Sequence, residues 1–571
     1  MYRPVLDSVA GSLTLTALVA MLPLLTLFIL LGVMRMTAWK AALVALAISL
    51  AVAIFAYSMP AGQALLASTQ GAAFGFFPIL WIVINAIWIY NMTVVTGHSD
   101  VLRRSFAKIS DDQRIQAVIV AFCFGGLLEA LAGFGTPVAI TSVMLIGLRF
   151  KPITAAVVAL VANTAPVAFG ALAVPITTLA TVTSLPEQEL ASIVGRQTPV
   201  LALLVPIALV FIIDRWKGVR ETLPATLTCG ITFAIAQFVC SNYVSPQLTD
   251  IVASLAAASS VVLLLRVWHP AARYVEAPEV STDASTTPAG VGSAAGTAGD
   301  HSDHPIGQGT GTVAEFADRD RGHHDTFGEV LKGYAPYLII IVVFSLAQIP
   351  AIKALLAGTT KSFLWPGLDL QSASGEPSTL PTFNLNWLAS GGTLLILAGM
   401  LTIPVLGIAP AKALKAYLGT YVQLKFAIIT VMAVLGLAYV MNSSGQTATL
   451  GIWMAGAGSA FALLSPILGW LGVAVTGSDT SSNSLFGALQ VAAANQAGLS
   501  DVLMAASNSS GGVLGKMISP QNLAIAAAAV GLDGKEGDIF RRVILWSLGF
   551  LVLLCVLSGL QATPVLSWMV P

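Results

Sequence analysis

The chain has 571 residues, of which 56% are hydrophobic and only 9% are charged. Soluble domains carry about 25% charged residues, so this composition excludes a soluble globular protein and indicates a polytopic membrane protein. The 27 basic and 27 acidic residues cancel, so net charge gives no argument for a nucleic-acid partner. The four cysteines lie in apolar stretches without a paired spacing, which predicts core residues rather than disulfides or metal ligands.

Apolar runs of about 20 residues predict about twelve full transmembrane helices, so the predicted fold class is all-α. The first seven runs lie near 13–31, 38–57, 74–92, 153–175, 199–213, 222–241 and 248–267. The other five lie near 334–349, 388–406, 426–441, 501–520 and 543–561. The first run is expected to be a retained span, because no clear basic segment and cleavage site flank it.

Two further apolar segments, 117–148 and 463–498, are each interrupted at a glycine-rich break, which predicts re-entrant hairpins. Lysines and arginines cluster at one end of the predicted spans, whereas segments 58–73, 242–247 and 442–461 contain none. The positive-inside rule assigns the basic ends to the cytoplasm and leaves both termini in the periplasm. The two hairpins then enter from opposite sides. The halves are therefore expected to be inverted repeats, each with a re-entrant hairpin and a broken transmembrane helix.

These elements divide the chain into four parts. Residues 1–214 are predicted to form the first repeat, 215–273 two linking spans, 274–331 a linker and 332–571 the second repeat. The linker is rich in Ala, Gly, Ser and Thr, so it cannot bury a core and is expected to be disordered and cytoplasmic. Its irregularly spaced histidines favour a solvated tract over a metal site. A second polar connection, 350–387, is expected outside the membrane.

The centre of the predicted site is the sequence Gly-Ser-Asp-Thr-Ser-Ser-Asn at 477–483, which lies between two apolar runs. In lipid every backbone polar group must be satisfied within the protein, so this cluster is expected to line a solute site. The first half contains similar residues at nearly the same spacing as the second half. The matched pairs are Gly133 with Gly477, Thr136 with Thr480, Asn163 with Asn508, Gly170 with Gly515 and Pro175 with Pro520.

Paired breaks of this kind mark the substrate site of a repeat-built transporter. Hydroxyls and amides in the breaks can donate and accept hydrogen bonds, and a helix N-terminus after a break attracts a carboxylate. The alternative for each polar residue is a structural role in satisfying the broken helix. The predicted substrate-binding residues are Thr136, Asn163, Ser478, Thr480, Ser481, Ser482, Asn483, Asn508, Lys516 and Ser519.

Charged residues inside apolar sequence also predict function, because each costs several kcal/mol unless it is paired or hydrated. Glu129 and Asp479 are the two carboxylates most deeply set in apolar sequence. No histidine lies within a predicted span, so these two are the candidates for proton coupling. Lys516 is the matching cation, and Arg196 is a further candidate for an anion contact or an ion pair. The alternative is a static Asp–Lys or Glu–Arg pair that locks the bundle.

Five segments in the same order resemble the signatures of the bacterial L-lactate permease family, and the resemblance covers nearly the whole chain. They are Glu-Ala-Leu-Ala-Gly-Phe-Gly-Thr-Pro at 129–137, Asn-Thr-Ala-Pro-Val-Ala-Phe-Gly at 163–170, Val-Gly-Arg-Gln at 194–197, Thr-Gly-Ser-Asp-Thr-Ser-Ser-Asn at 476–483 and Gly-Lys-Met-Ile-Ser-Pro at 515–520. The resemblance implies a symporter that takes up L-lactate, glycolate and similar 2-hydroxymonocarboxylates with protons across the bacterial inner membrane. It does not assign the binding residues.

Other readings stay open at this point. The same architecture suits a sodium-coupled transporter of another small organic anion, or a channel. A membrane-embedded enzyme is less well supported, because the breaks contain no HExxH, no GxSxG and no catalytic Cys–His arrangement. No cofactor is expected other than the proton as coupling ion. The oligomeric state is not fixed by the sequence, and a homodimer is one arrangement.

Overall fold

The computed structural model describes residues 2–34, 36–133, 135–275, 325–347, 349–371, 378, 380–532 and 535–570. Most of the predicted linker lies outside these ranges, so its predicted disorder stays a prediction. The helices before the linker are α1 Leu13–Ala20, α2 Leu22–Phe28, α3 Ala38–Ala51, α4 Ala61–Phe74, α5 Trp81–Val95, α6 His98–Ala107, α7 Gln113–Gln116, α8 Gly125–Ala132, α9 Thr136–Gly147, α10 Pro152–Ala162, α11 Gly170–Thr183, α12 Glu187–Val239 and α13 Thr249–Leu264.

After the linker the chain is again almost entirely helical. The helices are α14 Phe327–Ala347, α15 Pro350–Ala357, α16 Gly391–Leu406, α17 Pro410–Ser444, α18 Gln446–Met454, α19 Phe461–Thr476, α20 Asp479–Ala497, α21 Asp501–Gly515, α22 Pro520–Ala529 and α23 Glu536–Gln561. Helical segments of π type continue or link several helices at Ile29–Val33, Val52–Ala56, Gly75–Leu80, Ala117–Phe124 and Cys240–Val244. Short 3₁₀ turns lie at Val167–Phe169, Pro246–Leu248, Ala455–Ala460, Lys516–Ile518 and Ser567–Met569.

The described residues contain ten helical runs long and apolar enough to cross a membrane, or eleven if one bent pair counts as a span. A multi-pass membrane protein is therefore confirmed, whereas the predicted number of about twelve spans stays a prediction. One counted run, Glu187–Val244, is interrupted at Asp214 and Arg215, whose backbone angles are not helical. Helix α16 has only 16 residues, fewer than the roughly 20 that cross a bilayer.

A small antiparallel hairpin interrupts the otherwise helical fold in the connection at 350–387. Its strands are β1 Lys361–Leu364 and β2 Thr382–Leu385, and Phe363 stacks on Phe383 across the pair with ring centroids 5.5 Å apart. The all-α prediction did not include this hairpin. Each strand has only four residues, which is too short for an alternating pattern to stand out from a polar connection.

Helices end at the predicted glycine breaks in both halves. Helix α8 stops before Gly133 and α9 starts after Gly135, and both glycines have positive φ values, +40° and +84°. Helix α19 ends at Gly477, which also has a positive φ of +75° and is followed by α20. Glycine adopts this left-handed backbone without the steric cost that a side chain would add. Whether each helix pair re-enters on one side of the membrane stays a prediction.

The second broken element follows the same plan as the first. Helices α10 and α11 flank the 3₁₀ turn Val167–Phe169 and form a pair bent by 63°. Helices α21 and α22 flank the 3₁₀ turn Lys516–Ile518. Helix α21 packs closely on α19, because Gly469 lies against the backbone of Asn508 and Gly515 lies against that of Trp470. Small residues allow such close helix packing in membranes, where burial from water gives little drive for association.

In each half, a helix of the broken element packs against the other half. Helix α11, which follows the break in the first half, packs against α20 of the second half, and α22, which follows the break in the second half, packs against α9 of the first. The helix that follows the glycine break in each half is thus covered by a helix of the other half. This reciprocal packing is what two related repeats would produce. The inverted orientation of the repeats stays a prediction.

Segments predicted to lie outside meet at one end of the molecule, here called the Tyr2 face. The Tyr2 hydroxyl donates to the carbonyl oxygens of Tyr57 at 3.0 Å and Ser444 at 3.1 Å. The Gln63 amide donates to the carbonyl oxygen of Gly367 at 2.8 Å, which attaches the β hairpin connection to the same end. The residues of the Tyr2 face come from four regions: the N-terminus, the start of α4 and the residues before it, the connection at 350–387 and the end of α17.

Segments predicted to be cytoplasmic meet at another cluster, here called the Arg114 face. The buried Arg114 guanidinium forms ion pairs with Asp112 at 2.8 Å, Asp214 at 2.9 Å and Glu221 at 2.6 Å, and it donates to the carbonyl oxygen of Ala272. One side chain therefore joins the start of α7, the interruption of α12 and the chain just before the linker. The cluster satisfies a cation that burial would otherwise make costly.

Cysteine labelling tests the orientation of these two faces. Cysteines at the exposed positions Gly62 and Ser362, near the Tyr2 face, should react with a membrane-impermeant thiol reagent applied to intact cells. Cysteines at the exposed positions Asp111 and Lys217, near the Arg114 face, should react only after the cells are opened. All four variants need a background in which the native cysteines are replaced. Labelling of position 111 in intact cells, with position 62 protected, would reverse the predicted orientation.

Candidate substrate site

A cavity of about 1370 Å³ lies where the broken elements of the two halves meet. Its wall includes Gly133 and Gly170 from the first half and residues 475–481 from the second. The charged groups in this wall that come from the breaks or next to them are Glu129, Asp479 and Lys516. A volume of this size holds a small polar solute together with many water molecules, at about 30 Å³ each. The sequence prediction of a polar site at the paired breaks therefore corresponds to a cavity.

A buried ion pair joins the two halves at this cavity. The Lys516 Nζ atom, in the second break, lies 2.7 Å from Glu129 Oε1 on α8. The side chains are 7% and 4% exposed, so the pair is largely shielded from bulk water. The Asn163 amide donates to the other carboxylate oxygen of Glu129 at 2.9 Å, which ties this residue to the first break. A cation in such a site attracts a carboxylate strongly, because water screens the charge poorly there.

The first break also leaves space for the Glu129 carboxylate. A Cβ atom added at Gly170 would lie 2.7 Å from Glu129 Oε1 and 3.0 Å from its Cγ. Gly170 therefore permits the contact between the break and Glu129. Just beyond it, Ala171, Leu172 and Ala173 have positive φ values of 45°, 56° and 60°. Consecutive non-glycine residues in this region are strained, and such strain concentrates at functional sites.

Asp479 is the second carboxylate of the cavity and differs from Glu129 in its partners. It is 3% exposed and begins α20. The Ser509 hydroxyl donates to its Oδ2 at 2.6 Å and the Asn483 amide donates to the same atom at 3.4 Å. Its Oδ1 has no hydrogen-bond partner within the described chain, and Asp479 forms no ion pair there. Because Lys516 pairs with Glu129, the Asp–Lys lock considered from the sequence is not the arrangement in the structure.

Behind Asp479 the predicted asparagines form a buried amide chain. Asn508 donates to Asn483 Oδ1 at 2.9 Å, and Gln490 donates to Asn508 Oδ1 at 3.1 Å. Asn483 also donates to the carbonyl oxygen of Pro175 at 3.1 Å, which links α20 to α11 of the other half. These contacts position Asp479 and the second break. A break in a membrane helix needs such partners for its freed backbone groups.

The L-lactate permease family model matches residues 16–565 of the chain. The chain belongs to the L-lactate permease family. It is 40% identical over 583 residues to the L-lactate permease of Bacillus subtilis, covering 99% of this chain and 98% of that protein. It is also 40% identical over 577 residues to the glycolate permease GlcA of Escherichia coli, covering 98% and 97% of the two chains. Membership of a permease family indicates a transporter rather than an enzyme.

Solved structures give a more distant likeness to this permease. MtrF of Neisseria gonorrhoeae aligns with a TM-score of 0.44 and 12% identity, covering 86% of this chain and 82% of that one. At this level the likeness supports no inference about the site.

The predicted substrate-binding residues of the permease fall into two groups. Ser478, Thr480, Ser481 and Lys516 line the cavity, as do both predicted proton-coupling carboxylates. The remaining residues lie outside the lining and support it or the helices around it: Thr136, Asn163, Ser482, Asn483, Asn508 and Ser519. Ser478 and Ser519 cap α20 and α22, since each hydroxyl accepts a backbone N–H. The binding role of every residue in both groups stays a prediction.

Arg196 is placed apart from the cavity lining. Its guanidinium donates to Asn242 Oδ1 at 3.0 Å and to the carbonyl oxygen of Met569 at 2.8 Å. The structure therefore brings Arg196 together with the helical segment Cys240–Val244, which continues α12, and with the C-terminal segment, not with Glu129 or Lys516. Its partners are neutral, so neither the Glu–Arg lock nor a contact with an anion in the cavity follows from its position.

Gln521 at the cavity and the buried Asp250 were not predicted from the sequence. Gln521 lines the cavity beside Gly477, directly after the Ser-Pro pair that begins α22. Asp250 is 1% exposed and lies near the start of α13, where Gln237 donates to its Oδ1 at 3.4 Å while Oδ2 has no partner in the described chain. Asp250 does not line the cavity, but it interacts electrostatically with both Glu129 and Lys516. The signal for it was a carboxylate inside the predicted span 248–267.

Proposed function

We propose that this permease imports L-lactate and glycolate together with protons across the bacterial inner membrane. The relatives named as L-lactate and glycolate permeases support these substrates, which share a carboxylate and a 2-hydroxyl group. The observation that carries the proposal is the buried Lys516 at a cavity shared by both halves, because it supplies a cation for the substrate carboxylate. A charged hydrogen bond of this kind contributes about 1.5–3 kcal/mol to binding.

The surroundings of Lys516 suit the rest of such a substrate. The first turn of α20, residues 479–481, and the first residues of α22 line the same cavity. Helix N-termini favour a carboxylate through their free N–H groups and dipoles. The hydroxyls of Ser478, Thr480 and Ser481 and the amide of Gln521 can donate to and accept from the substrate hydroxyl. Together these groups recognise a small hydroxylated monoanion.

Asp479 is the proposed carrier of the coupled proton. It lines the cavity, and it has no cation of its own within the described chain. One proton on Asp479 cancels the charge of one substrate anion, so the loaded and empty carriers have the same net charge. Without that proton, moving the anion into a negative interior costs about 2.3 kcal/mol per 100 mV. Proton coupling thus removes the main electrical barrier to uptake.

Three lining residues support an arrangement in which the cavity opens to the cytoplasm. Lys40, Phe426 and Glu536 line the cavity, and each belongs to a segment whose lysines and arginines predict a cytoplasmic position. The side chains of Lys40 and Phe426 are exposed. On this basis we propose an inward-open carrier built from two inverted repeats. The reciprocal packing of α11 on α20 and of α22 on α9 supports the repeat.

Uptake by the purified permease in proteoliposomes tests the function. With labelled L-lactate outside, an imposed inward pH gradient should drive accumulation above equilibrium, and unlabelled glycolate should compete. An imposed sodium gradient at equal pH should drive none. Accumulation with sodium alone would replace the proposal by a sodium-coupled transporter. Flux that never exceeds equilibrium under any gradient would indicate a channel.

A further inference from the structure

Lys516 is the only cation that we assign to the substrate, and the Glu129 carboxylate already pairs with it. Glu129 Oε1 already lies 2.7 Å from Lys516 Nζ, and both residues line the cavity. A second carboxylate on the same ammonium group therefore meets an existing one. Lysine has three N–H donors, but two carboxylates on one buried cation leave a net negative charge that burial makes costly.

We infer that Glu129 is an internal competitor of the substrate, a carboxylate that occupies Lys516 in the empty carrier and is displaced when the substrate anion binds. The inference rests on the proposed function and deepens it. Glu129 thus acts through Lys516 as a positioning residue, and its contact with substrate is not required. Its role is to give the empty carrier a neutral pair, so that the substrate-free site can return without an uncompensated cation.

The geometry around Glu129 allows both positions of its carboxylate. Asn163 holds Oε2 at 2.9 Å from the side of the first break, so the group keeps a hydrogen bond if it leaves Lys516. Gly170 leaves free the space that a Cβ atom would fill next to Oε1. Lys516 belongs to the second half, whereas Glu129, Asn163 and Gly170 belong to the first. Exchange of Glu129 for substrate on Lys516 therefore changes a contact between the halves.

Equilibrium binding distinguishes competition from a purely structural pair. Labelled L-lactate binding is measured on the purified full-length protein at one pH for wild type and Glu129→Gln. If Glu129 occupies Lys516 for about 90–99% of the time, its removal should tighten the dissociation constant about 10- to 100-fold. Net uptake by the same variant should slow, since its empty carrier keeps a bare cation, while lactate-for-lactate exchange should continue. A structural pair predicts weaker binding and loss of both activities.

Asp250→Asn is the matched control. It also removes a buried carboxylate that interacts electrostatically with Lys516, yet Asp250 makes no ion pair with it. Competition predicts tighter binding in Glu129→Gln only. Equal tightening in both variants would show that general negative charge, not occupation of Lys516, weakens lactate binding, and would overturn the inference.

One further variant keeps the outcomes separate. Glu129→Asp retains the charge but shortens the side chain, so its binding constant should lie between those of wild type and Glu129→Gln, even if the glutamine variant folds poorly. If L-lactate binds to Glu129→Asp no more tightly than to wild type, competition is contradicted. If wild type binds no L-lactate, the proposed function itself fails. If wild type binds and Glu129→Gln binds no more tightly, only the inference fails.

Discussion

Asp479→Asn is expected to abolish uphill uptake of L-lactate and to leave lactate-for-lactate exchange near the wild-type rate. Asparagine preserves the shape of the side chain and can still accept from Ser509, but it cannot bind and release a proton. Exchange needs no proton cycling, because the loaded carrier moves in both directions. Without a coupled proton, moving the anion against the membrane potential costs about 2.3 kcal/mol per 100 mV. At 100 mV this cost lowers the accumulation ratio about 50-fold.

The measurement is the ratio of pH-driven uptake to exchange in the same vesicles. Since Lys516 pairs with Glu129, the asparagine variant strands no partner charge, and its folding should be close to wild type. Asp479→Glu serves as the control that keeps a titrating group. Normal pH-driven uptake by a well-expressed Asp479→Asn protein would rule out Asp479 as the proton carrier and leave Glu129 as the remaining sequence-predicted candidate.

Lys516→Met is expected to remove high-affinity lactate binding. Loss of one charged hydrogen bond, about 1.5–3 kcal/mol, corresponds to about a 10- to 150-fold weaker dissociation constant. The same change leaves Glu129 buried without its cation, which costs about 3–5 kcal/mol of stability. We therefore expect a lower melting temperature as well as weaker binding. Binding assays and thermal unfolding on the purified protein measure the two effects.

A double variant separates those effects. Combining Lys516→Met with Glu129→Gln removes both charges, so stability should recover while lactate binding stays about 10- to 150-fold weaker than in Glu129→Gln alone. Lys425→Met makes the same substitution at an exposed lysine outside the cavity lining and should change neither quantity. If the double variant binds L-lactate as tightly as Glu129→Gln alone, Lys516 does not bind the substrate carboxylate and the proposed site is wrong.

Most of the fold prediction came from the apolar runs and from the glycines that interrupt them. The helix ends at Gly133 and Gly477 were readable because glycine with neighbouring polar residues interrupts long apolar runs. The β hairpin was missed because four-residue strands in a polar connection have no distinctive period. The number of spans was harder to fix, since helices such as α12 run through polar interruptions that sequence reasoning treats as ends.

The residues that line the site were easier to predict than the contacts that those residues make with one another. Asp479 and Lys516 were picked out by their position in breaks, and both line the cavity. From the sequence, a static Asp–Lys pair was the structural alternative, yet Lys516 pairs with Glu129, 387 residues away. Such a contact depends on how the halves dock, which local pattern does not encode. Arg196 lies apart from the site for the same reason, since its partners lie in the helical segment that continues α12 and near the C-terminus.

The 387 residues between Glu129 and Lys516 also set a delay during biosynthesis. At about 5–20 residues per second, roughly 20–80 s pass between synthesis of the carboxylate and arrival of its cation. During that interval α9 also lacks the cover of α22. A bare carboxylate in lipid is costly, so Glu129 needs water or another polar partner while the first half waits in the membrane. The nascent first half is thus the stage at which this protein most needs shielding by the insertion machinery.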